Sequence, residues 1–337
     1  MSRQPWSSPV LLLLVMTALF LVACDEPNDA DIPPQPYRLV GSYSTPSPVL
    51  DISVSGNRAA VAVGYLGYDI LDVTDPASLI RVDSLRMTGN GAVCQAVAID
   101  ASNSLVGSSS TDFGDPNVIY DYLRDARVSG FGATGVSDMN FFARQDTADF
   151  WYALSGTDIR ISSVQLVRTD TAWYGVPSAT WSPSNGSSRM EHFSIRADGI
   201  LALAYQAGIH FHNVITLESV HDFMAPGIAF DCGWSGDYLI VAAEYYLLIY
   251  NVADLHNPAL VSQLEIRNAD RLQRVAVDGP FAAVMDDSDG IFIVDISNVW
   301  APKVVQSISL IEPTVVEAGD GRFYIGDEVR GMLIYAR

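Results

Sequence analysis

The sequence predicts an all-β chain built from seven similar four-stranded units, and three observations lead to that prediction. First, the stretch from Asp289 to Pro302 holds a short apolar strand, an Asp, a polar turn and a proline, and it recurs along the chain. Second, the recurrences are about 44 residues apart. Third, the apolar runs are rich in Val, Ile, Leu and aromatic residues and show no helical periodicity. Four short strands repeated at this period are typical of the antiparallel blades of a β-propeller.

The spacing of the recurring stretch predicts the number of blades. With Ile293 as its anchor, the clear copies place Ile70, Ile249 and Ile334 at the equivalent position. Ile249 and Ile293 are 44 residues apart, whereas Ile70 and Ile249 are 179 residues apart, which leaves room for three further copies. Weaker matches to the pattern supply those copies, with anchors at Tyr120, Ile161 and Phe211. Seven blades are therefore expected.

The order of strands within a blade is clearest in the sixth period. A strand at 272–277 is followed by a hairpin turn at Asp278 and Gly279, and a strand at 281–285 is followed by a second turn at 286–290. The recurring stretch then supplies the third strand, and the fourth begins at Lys303. Asp-Gly pairs between apolar runs are typical of hairpin turns, so four antiparallel strands are expected in each period.

The two ends of the propeller domain are expected to complete one blade together. The seventh period reaches Arg337 after its third strand, so its fourth strand must come from elsewhere. The segment 37–43 precedes the first blade and matches a fourth strand, since Val40 and Ser42 correspond to Val305 and Ser307. We expect this N-terminal strand to pair with residues 331–337 and close the ring.

The residues of the recurring stretch have a structural explanation. Its apolar strand must face neighbouring blades on both sides, which favours Ile, Val and Phe. The Asp or Asn at the end of the strand can accept hydrogen bonds from the backbone of the following turn. This explanation involves no catalytic chemistry.

These residues also carry a family resemblance. The stretch at 290–302 and its copies at 67–76 and 246–258 resemble the LVIVD repeat of bacterial and archaeal cell-surface β-propellers, which include lipoproteins. The resemblance covers almost all of residues 37–337. It is good in blades 1, 5 and 6, partial in blades 4 and 7, and poor in blades 2 and 3. It implies an exported propeller and implies no particular reaction.

The first residues indicate export. Arg3 precedes an apolar run at 10–22, which is too short for a confident membrane span and is typical of a signal peptide at residues 1–23. Leu21-Val-Ala-Cys24 resembles the lipobox of bacterial lipoproteins, and the resemblance implies that Cys24 becomes the lipidated first residue. An ordinary signal peptide with a chance cysteine is the alternative. The acidic, proline-rich residues 24–36 are then expected to form an extended tether to the propeller domain at 37–337.

Charge and the leader together restrict location and partners. A formal net charge of -20 disfavours binding to nucleic acid. We expect an envelope protein held to a membrane through Cys24, at the outer membrane or cell surface rather than the inner membrane. The acidic residues after Cys24 leave the choice of membrane open, because similar residues signal different destinations in different bacteria. An envelope protein or a glycan is the expected partner.

The most suggestive polar residues lie near the start of the predicted innermost strands. In a propeller these strands surround the central channel, so their polar residues could form a collar around a pocket. The candidates are Asp51, Gln95, Asp138, His192, Asp231 and Arg274, with Glu317 as a seventh member out of register. A hydrolase or lyase could use His192 as a base and Arg274 to receive an anionic group. The alternative is a water-filled channel mouth in which Arg274 offsets nearby acids.

Three other patterns suggest ligands and have simpler explanations. The Gly130–Gly135 segment fits G-x-G-x-x-G but lacks the βαβ context of a nucleotide site, so we interpret it as a loop. Asp287 and Asp289 could bind a cation, although a turn needs such residues anyway. His210 and His212 share one side of a strand, where metal ligands often lie, but no third ligand is near them in sequence. No cofactor or metal is predicted.

The remaining cysteines do not suggest a disulfide. After the leader, only Cys94 and Cys232 follow Cys24, and the repeat places them on separate blades as buried thiols. With no catalytic motif in the chain, the preferred hypothesis is a noncatalytic binding or scaffold module. The alternative is an enzyme or small-ligand binder that uses the channel collar.

Overall fold

The chain forms strands wherever β-branched and aromatic residues recur, and these strands assemble into seven four-stranded antiparallel sheets. The computed structural model describes residues 37–86, 93–110, 117–130, 136–143, 150–156, 160–169, 172–182, 190–205, 208–267, 269–288 and 290–337. All of them lie in one compact unit, Pro36–Arg337. Among these residues, no helix is long and apolar enough to cross a membrane.

The first strand in the chain belongs to blade 7, and each later group of four strands forms one blade. The N-terminal strand is β1 (Arg38–Tyr43). Blade 1 comprises β2 (Asp51–Ser55), β3 (Arg58–Ala62), β4 (Tyr68–Asp72) and β5 (Ile80–Leu85). Blade 2 comprises β6 (Cys94–Asp100), β7 (Leu105–Ser110), β8 (Asn117–Asp121) and β9 (Ala126–Gly130). Blade 3 comprises β10 (Val136–Ala143), β11 (Phe150–Gly156), β12 (Arg160–Arg168) and β13 (Trp173–Trp181).

The second half of the ring continues in the same order. Blade 4 comprises β14 (Met190–Ile195), β15 (Ile200–Tyr205), β16 (Gly208–Asn213) and β17 (Ser219–Met224). Blade 5 comprises β18 (Ala229–Ser235), β19 (Tyr238–Ala243), β20 (Tyr246–Asn251) and β21 (Ala259–Glu265). Blade 6 comprises β22 (Leu272–Asp278), β23 (Phe281–Asp286), β24 (Gly290–Asp295) and β25 (Lys303–Ile308). Blade 7 comprises β26 (Pro313–Gly319), β27 (Arg322–Asp327) and β28 (Gly331–Ala336), together with β1. The predicted seven-bladed propeller is confirmed.

Burial explains why the middle strands read as continuous apolar runs. Strands β23 and β24 are buried at almost every residue, whereas β5 on the outside of blade 1 is exposed or half-buried throughout. Neighbouring blades cover both faces of a middle strand, so neither face can be polar. Cys94 and Cys232 are buried free thiols in blades 2 and 5, as predicted.

A β-bulge recurs at the same place in every blade. In blade 6, Ile293 pairs with Gln306 and Val294 with Val304, so Val305 is the extra residue on the outer strand. The extra residues in blades 1 to 7 are Val82, Val128, Ser178, Val220, Val261, Val305 and Val40. Bulges of this kind increase the local twist of the outer strand.

The bulge also corrects two of the predicted anchors. It follows Ile70, Phe211, Ile249, Ile293 and Ile334, which are the predicted anchors of five blades. In blade 2 it follows Ile119 rather than Tyr120, and in blade 3 it follows Ser163 rather than Ile161. The two weak copies were placed one and two residues out, because Ile119 and Tyr120 are adjacent large apolar residues in blade 2 and blade 3 has a serine at the bulge position.

Ring closure follows the prediction closely. Strand β1 pairs antiparallel with β28, and the bulge at Val40 matches those at Val82 and Val305. Tyr37 just before β1 is fully buried. Its backbone N–H donates to Oε1 of Gln306 at 3.0 Å, and Nε2 of Gln306 donates back to its carbonyl at 2.8 Å. The closing segment is therefore fixed to blade 6 as well as to blade 7.

The Asp or Asn of the recurring stretch caps the turn that follows the third strand. Oδ1 of Asp72 accepts from the Thr74 N–H at 2.9 Å, and Oδ1 of Asp295 accepts from the Ser297 N–H at 3.0 Å. The equivalent acceptors in blades 2, 4 and 5 are Asp121, Asn213 and Asn251. The structural explanation of the motif is confirmed in these blades.

The antiparallel order gives the propeller two distinct faces. On the mouth face the innermost strands begin, the second strands turn into the third, and the fourth strands end. On the turn face the third strands end and turn into the fourth. Tyr37 lies on the turn face, because β1 is a fourth strand and begins opposite Ala336 at the end of β28.

Candidate functional site

The candidate site lies at the mouth face, where the innermost strands begin. Asp51, Asp138, Asp231 and Arg274 are opposite Ala62, Ser155, Ala242 and Met285 on the second strands. In each blade, this second-strand residue pairs in turn with the third-strand residue that lies two places before the outer-strand bulge. The four collar residues therefore occupy equivalent positions in their blades. Small bulges precede three of them, which explains why their spacing in the sequence varies.

Three collar aspartates hold the next blade in place. Oδ2 of Asp51 accepts a hydrogen bond from the Val97 N–H at 2.8 Å, across 46 residues of sequence. Oδ2 of Asp138 accepts from the Phe193 N–H at 2.9 Å, and Oδ2 of Asp231 accepts from the Val275 N–H at 2.9 Å. An innermost strand has one open edge, and these carboxylates satisfy N–H groups there that would otherwise be buried without a partner. Blades 1 and 2, 3 and 4, and 5 and 6 are joined in this way.

Sequence reasoning missed a longer series of such contacts between blades 1 and 2. Beyond Asp51, the hydroxyls of Ser53 and Ser55 accept from the N–H groups of Ile99 and Ala101 at 3.1 and 3.2 Å. The alternation of Asp, Ser and Ser on β2 is visible in the sequence as a row of polar residues on one side of an inner strand. That pattern could have suggested a row of side-chain to backbone hydrogen bonds.

His192 of blade 4 and Arg274 of blade 6 lie close together, although blade 5 comes between them in order. Nη1 of Arg274 lies 2.7 Å from Nδ1 of His192. Oδ2 of Asp138 lies 3.5 Å from the same His192 nitrogen. Because a guanidinium can only donate, Nδ1 of His192 accepts and its ring proton lies on Nε2. The nitrogen nearest the carboxylate is therefore occupied by the arginine, which is a poor arrangement for a general base.

The channel contains a polar cavity of about 260 Å³. Asp51, Asp138, Asp231, Arg274 and Glu317 are among the residues that line it. Gln95 lies on β6 near its start as expected, but it is exposed and does not line the cavity. The structure thus brings five of the six predicted collar residues together, with His192 reaching the group through Arg274.

Burial in the channel favours the neutral form of its acids. It raises the pKa of Asp51 to about 7, with a smaller increase from Asp138 and an opposing effect of Arg274. Burial, together with the carboxylates of Asp51, Asp138 and Asp231, raises the pKa of Glu317 to about 8. Burial also raises the pKa of Asp231, against the lowering effects of the Arg274 guanidinium and the Val275 N–H. Around neutral pH the channel therefore carries less negative charge than its sequence indicates.

The other predicted ligand residues do not assemble into a site. In the part of the chain that the structure describes, no group of three or more His, Cys, Asp or Glu side chains could hold a metal ion. His210 and His212 lie beside the ring of Trp181, at 5.2 and 4.4 Å between ring centroids. Burial lowers the pKa of His212 to about 4, as expected for a neutral ring packed between blades 3 and 4.

Some predicted residues cannot be compared with the structure. Asp287 binds Nη2 of Arg271 at 2.7 Å, while Asp289, its proposed partner in cation binding, lies outside the described residues. Most of the Gly130–Gly135 segment lies outside them as well. The same holds for Cys24, for residues 1–23 and for the tether at 24–36.

Comparisons with known proteins agree with the repeat and the fold. The LVIVD repeat family matches residues 48–86 and 271–309, which correspond to blades 1 and 6, so the chain carries LVIVD repeats. Among solved structures, the β-propeller domain of Cps50 (Swd1) from Myceliophteria thermophila is similar, with a TM-score of 0.66. The two chains are 15% identical over 90% of this chain and 100% of the other, which supports a shared fold. No curated protein matches the sequence.

Proposed function

We propose that this protein is a lipid-anchored β-propeller of the bacterial cell envelope that acts as a noncatalytic binding or scaffold module. The observation that carries the proposal is the use of the collar aspartates as hydrogen-bond acceptors for the backbone of the next blade. In each of these aspartates, one carboxylate oxygen is engaged in joining two blades, which is a structural role. The collar aspartates then serve mainly to join three pairs of neighbouring blades.

The anchor is proposed from the leader sequence. Leu21-Val-Ala-Cys24 follows an apolar run and precedes an acidic, proline-rich segment. Each acyl methylene buried in a bilayer contributes about 0.8 kcal/mol, so the chains on a lipidated Cys24 would hold the protein firmly at a membrane. A propeller held this way at the outer membrane or cell surface could present its faces to an envelope protein or glycan.

The anchor is tested by expression in a bacterium with lipoprotein processing. We expect the intact mass of the mature protein to correspond to a chain that begins at an acylated Cys24. The Cys24→Ala variant should instead appear in the soluble fraction without acyl mass. An unmodified Cys24 in the membrane fraction would contradict the anchor.

A small-ligand binder is the second candidate, and the polar cavity of about 260 Å³ favours it. The cavity offers hydrogen-bond donors from neutral carboxyl groups and from Arg274, together with carboxylate acceptors. A small polar molecule such as a sugar fits this chemistry better than an apolar one.

A thermal-shift screen separates the two candidates. Sugars, short peptides and divalent ions would be tested with the unmodified protein, with His192→Ala, and with His256→Ala as an exposed control on the turn face. The scaffold proposal predicts no shift that depends on His192. A large shift that is lost in His192→Ala and kept in His256→Ala would support the channel ligand instead.

A further inference from the structure

Blade 3 departs from the other blades where its third strand turns into its fourth. The outer-strand bulge follows Ile293 in blade 6 and Ser163 in blade 3. Strand β24 ends at Asp295, two residues after Ile293, whereas β12 ends at Arg168, five residues after Ser163. The returning strand β13 is extended to match, from Trp173. At about 3.3 Å per residue, three extra residues carry the paired strands roughly 10 Å further than those of blade 6. We call this extension the blade 3 hairpin.

One side of the blade 3 hairpin is apolar and exposed. Val167 pairs with Tyr174, and Gln165 pairs with Val176 two residues away, so these four side chains share one side of the sheet. Val167, Tyr174 and Val176 are 39%, 53% and 48% exposed. The neighbouring strands of blade 4 are six residues long and do not reach them.

The other side of the hairpin is firmly packed. Leu166 and Trp173 are 2% and 7% exposed and belong to an apolar cluster with residues of blade 2, including Ala98 and Ile119. The guanidinium of Arg168 lies over the Trp173 ring, 5.5 Å from its centroid. The exposed apolar side is therefore held in a fixed direction rather than being a loose loop tip.

The hairpin projects from the face at which the N-terminal segment enters the propeller. Tyr37 lies on the turn face, 13 positions after Cys24 in the sequence. Even a fully extended segment of that length spans only about 45 Å. An acylated Cys24 would therefore hold the turn-face entry point of the chain within about that distance of the bilayer. Among the described residues, the blade 3 hairpin is the longest paired hairpin on that face.

We propose that the blade 3 hairpin is a second membrane contact that lies in the lipid interface. This inference rests on the lipid anchor proposed above. Tyr side chains favour the interface between headgroups and acyl chains, and Tyr174 lies on the exposed apolar side of the hairpin. Leu123, in the adjacent turn of blade 2, is 73% exposed beside Arg124 and would join the same contact.

Charge explains why the contact is confined to this sector. Capping aspartates such as Asp72 and Asp295 line the turn face elsewhere, and anionic lipid repels them. A hairpin longer by roughly 10 Å would keep these aspartates about one Debye length away from the lipid surface at physiological salt. The mouth face then points away from the membrane.

Spin labels on the full lipidated protein test this contact in vesicles of phosphatidylethanolamine and phosphatidylglycerol. A label would be attached at Tyr174→Cys, and at Val176→Cys, which leaves Tyr174 in place. Tyr245→Cys is the matched control, because Tyr245 is 50% exposed and lies on the mouth face. Native Cys94 and Cys232 are buried and will not compete for the label.

The readout is the ratio of collisions with oxygen, which enriches in lipid, to collisions with a water-soluble nickel chelate. We expect this ratio to be several-fold higher at positions 174 and 176 than at 245. Equal ratios in protein that floats with the vesicles would overturn the hairpin contact and leave the lipid anchor intact. A label shielded from both reagents would also overturn it, in favour of a protein partner. An unmodified Cys24 in the intact mass would overturn both proposals.

Discussion

At the scale of single residues, the carboxyl groups in the channel differ in their surroundings. Asp231 accepts from the N–H groups of Val275 and Cys232, so both of its oxygens are engaged in holding blade 6 and its own strand. Glu317 lines the same cavity, and no hydrogen bond or ion pair to it is found among the described residues. Three nearby carboxylates oppose its ionisation, while Arg274 favours it. Ionisation of Glu317 is therefore unfavourable in the folded protein.

The raised pKa values of Asp51 and Glu317 predict that stability falls as pH rises. Each carboxyl is protonated more readily in the folded chain than in the unfolded chain, so its contribution is complete at acid pH. That contribution is lost progressively up to about pH 7 for Asp51 and pH 8 for Glu317. We expect the midpoint of thermal unfolding to decrease from pH 5.5 to pH 8.5, and Glu317→Gln to decrease less.

Glu218→Gln provides the control for that measurement, because Glu218 is exposed on the turn face. It should follow the same pH dependence as the unmodified protein. A midpoint that rises over this range, or a Glu317→Gln variant with an unchanged slope, would show that the channel acids are charged in the fold.

At the scale of elements, the outer half of each blade is built from a bulge and a capped turn. The bulge places a valine out of register in six of the seven outer strands, and an Asp or Asn then caps the turn in the blades that follow the repeat. Blades 4 and 5 use Asn213 and Asn251 where blades 1 and 6 use Asp72 and Asp295. The turn thus needs an oxygen acceptor rather than a charge.

Asp295 allows a direct test of that requirement. Its Oδ1 accepts from both the N–H and the hydroxyl of Ser297, at 3.0 and 2.6 Å. We expect Asp295→Ala to lower the free energy of unfolding by about 1 kcal/mol, because a turn N–H loses its acceptor. Asp295→Asn should stay within about 0.5 kcal/mol of the unmodified protein. Denaturant unfolding would measure both, and equal losses would indicate that the charge matters.

At the scale of the whole molecule, stability depends on closing the ring. Strand β1 supplies the outer strand of blade 7, so the first and last described strands are joined by a ladder of hydrogen bonds. Tyr37 extends that closure into blade 6, where its ring packs against Phe281 and Phe323 and its hydroxyl donates to Oδ2 of Asp278 at 2.5 Å. An open ring would expose an unpaired strand edge and a buried cluster between two blades.

Truncations from the N-terminus should therefore have sharply unequal effects. In a Cys24→Ala background, removal of residues 25–36 is expected to leave the unfolding midpoint nearly unchanged. Removal of 25–43 should leave the protein aggregated or unfolded. Tyr37→Ala should cost about 3 to 5 kcal/mol, since a fully buried aromatic side chain is lost. A 25–43 deletion that unfolds at the original midpoint would contradict closure by β1.

The sequence by itself determined the number of blades, their four-stranded order, the capping role of Asp and Asn, and the closing strand. It could do so because each of these features repeats within a single blade, or at the two ends of one, and the spacing of Ile249, Ile293 and Ile334 measures the blade directly. Only the tertiary structure decided what lies between blades. The bonds from Asp51 to Val97 and from Asp138 to Phe193 cross 46 and 55 residues, and bulges shift the register on the way. The exposure of the apolar side of the blade 3 hairpin likewise depends on the shorter strands of blade 4 next to it. A repeat pattern describes what every blade must do to fold, whereas contacts between unlike blades depend on where each strand stops.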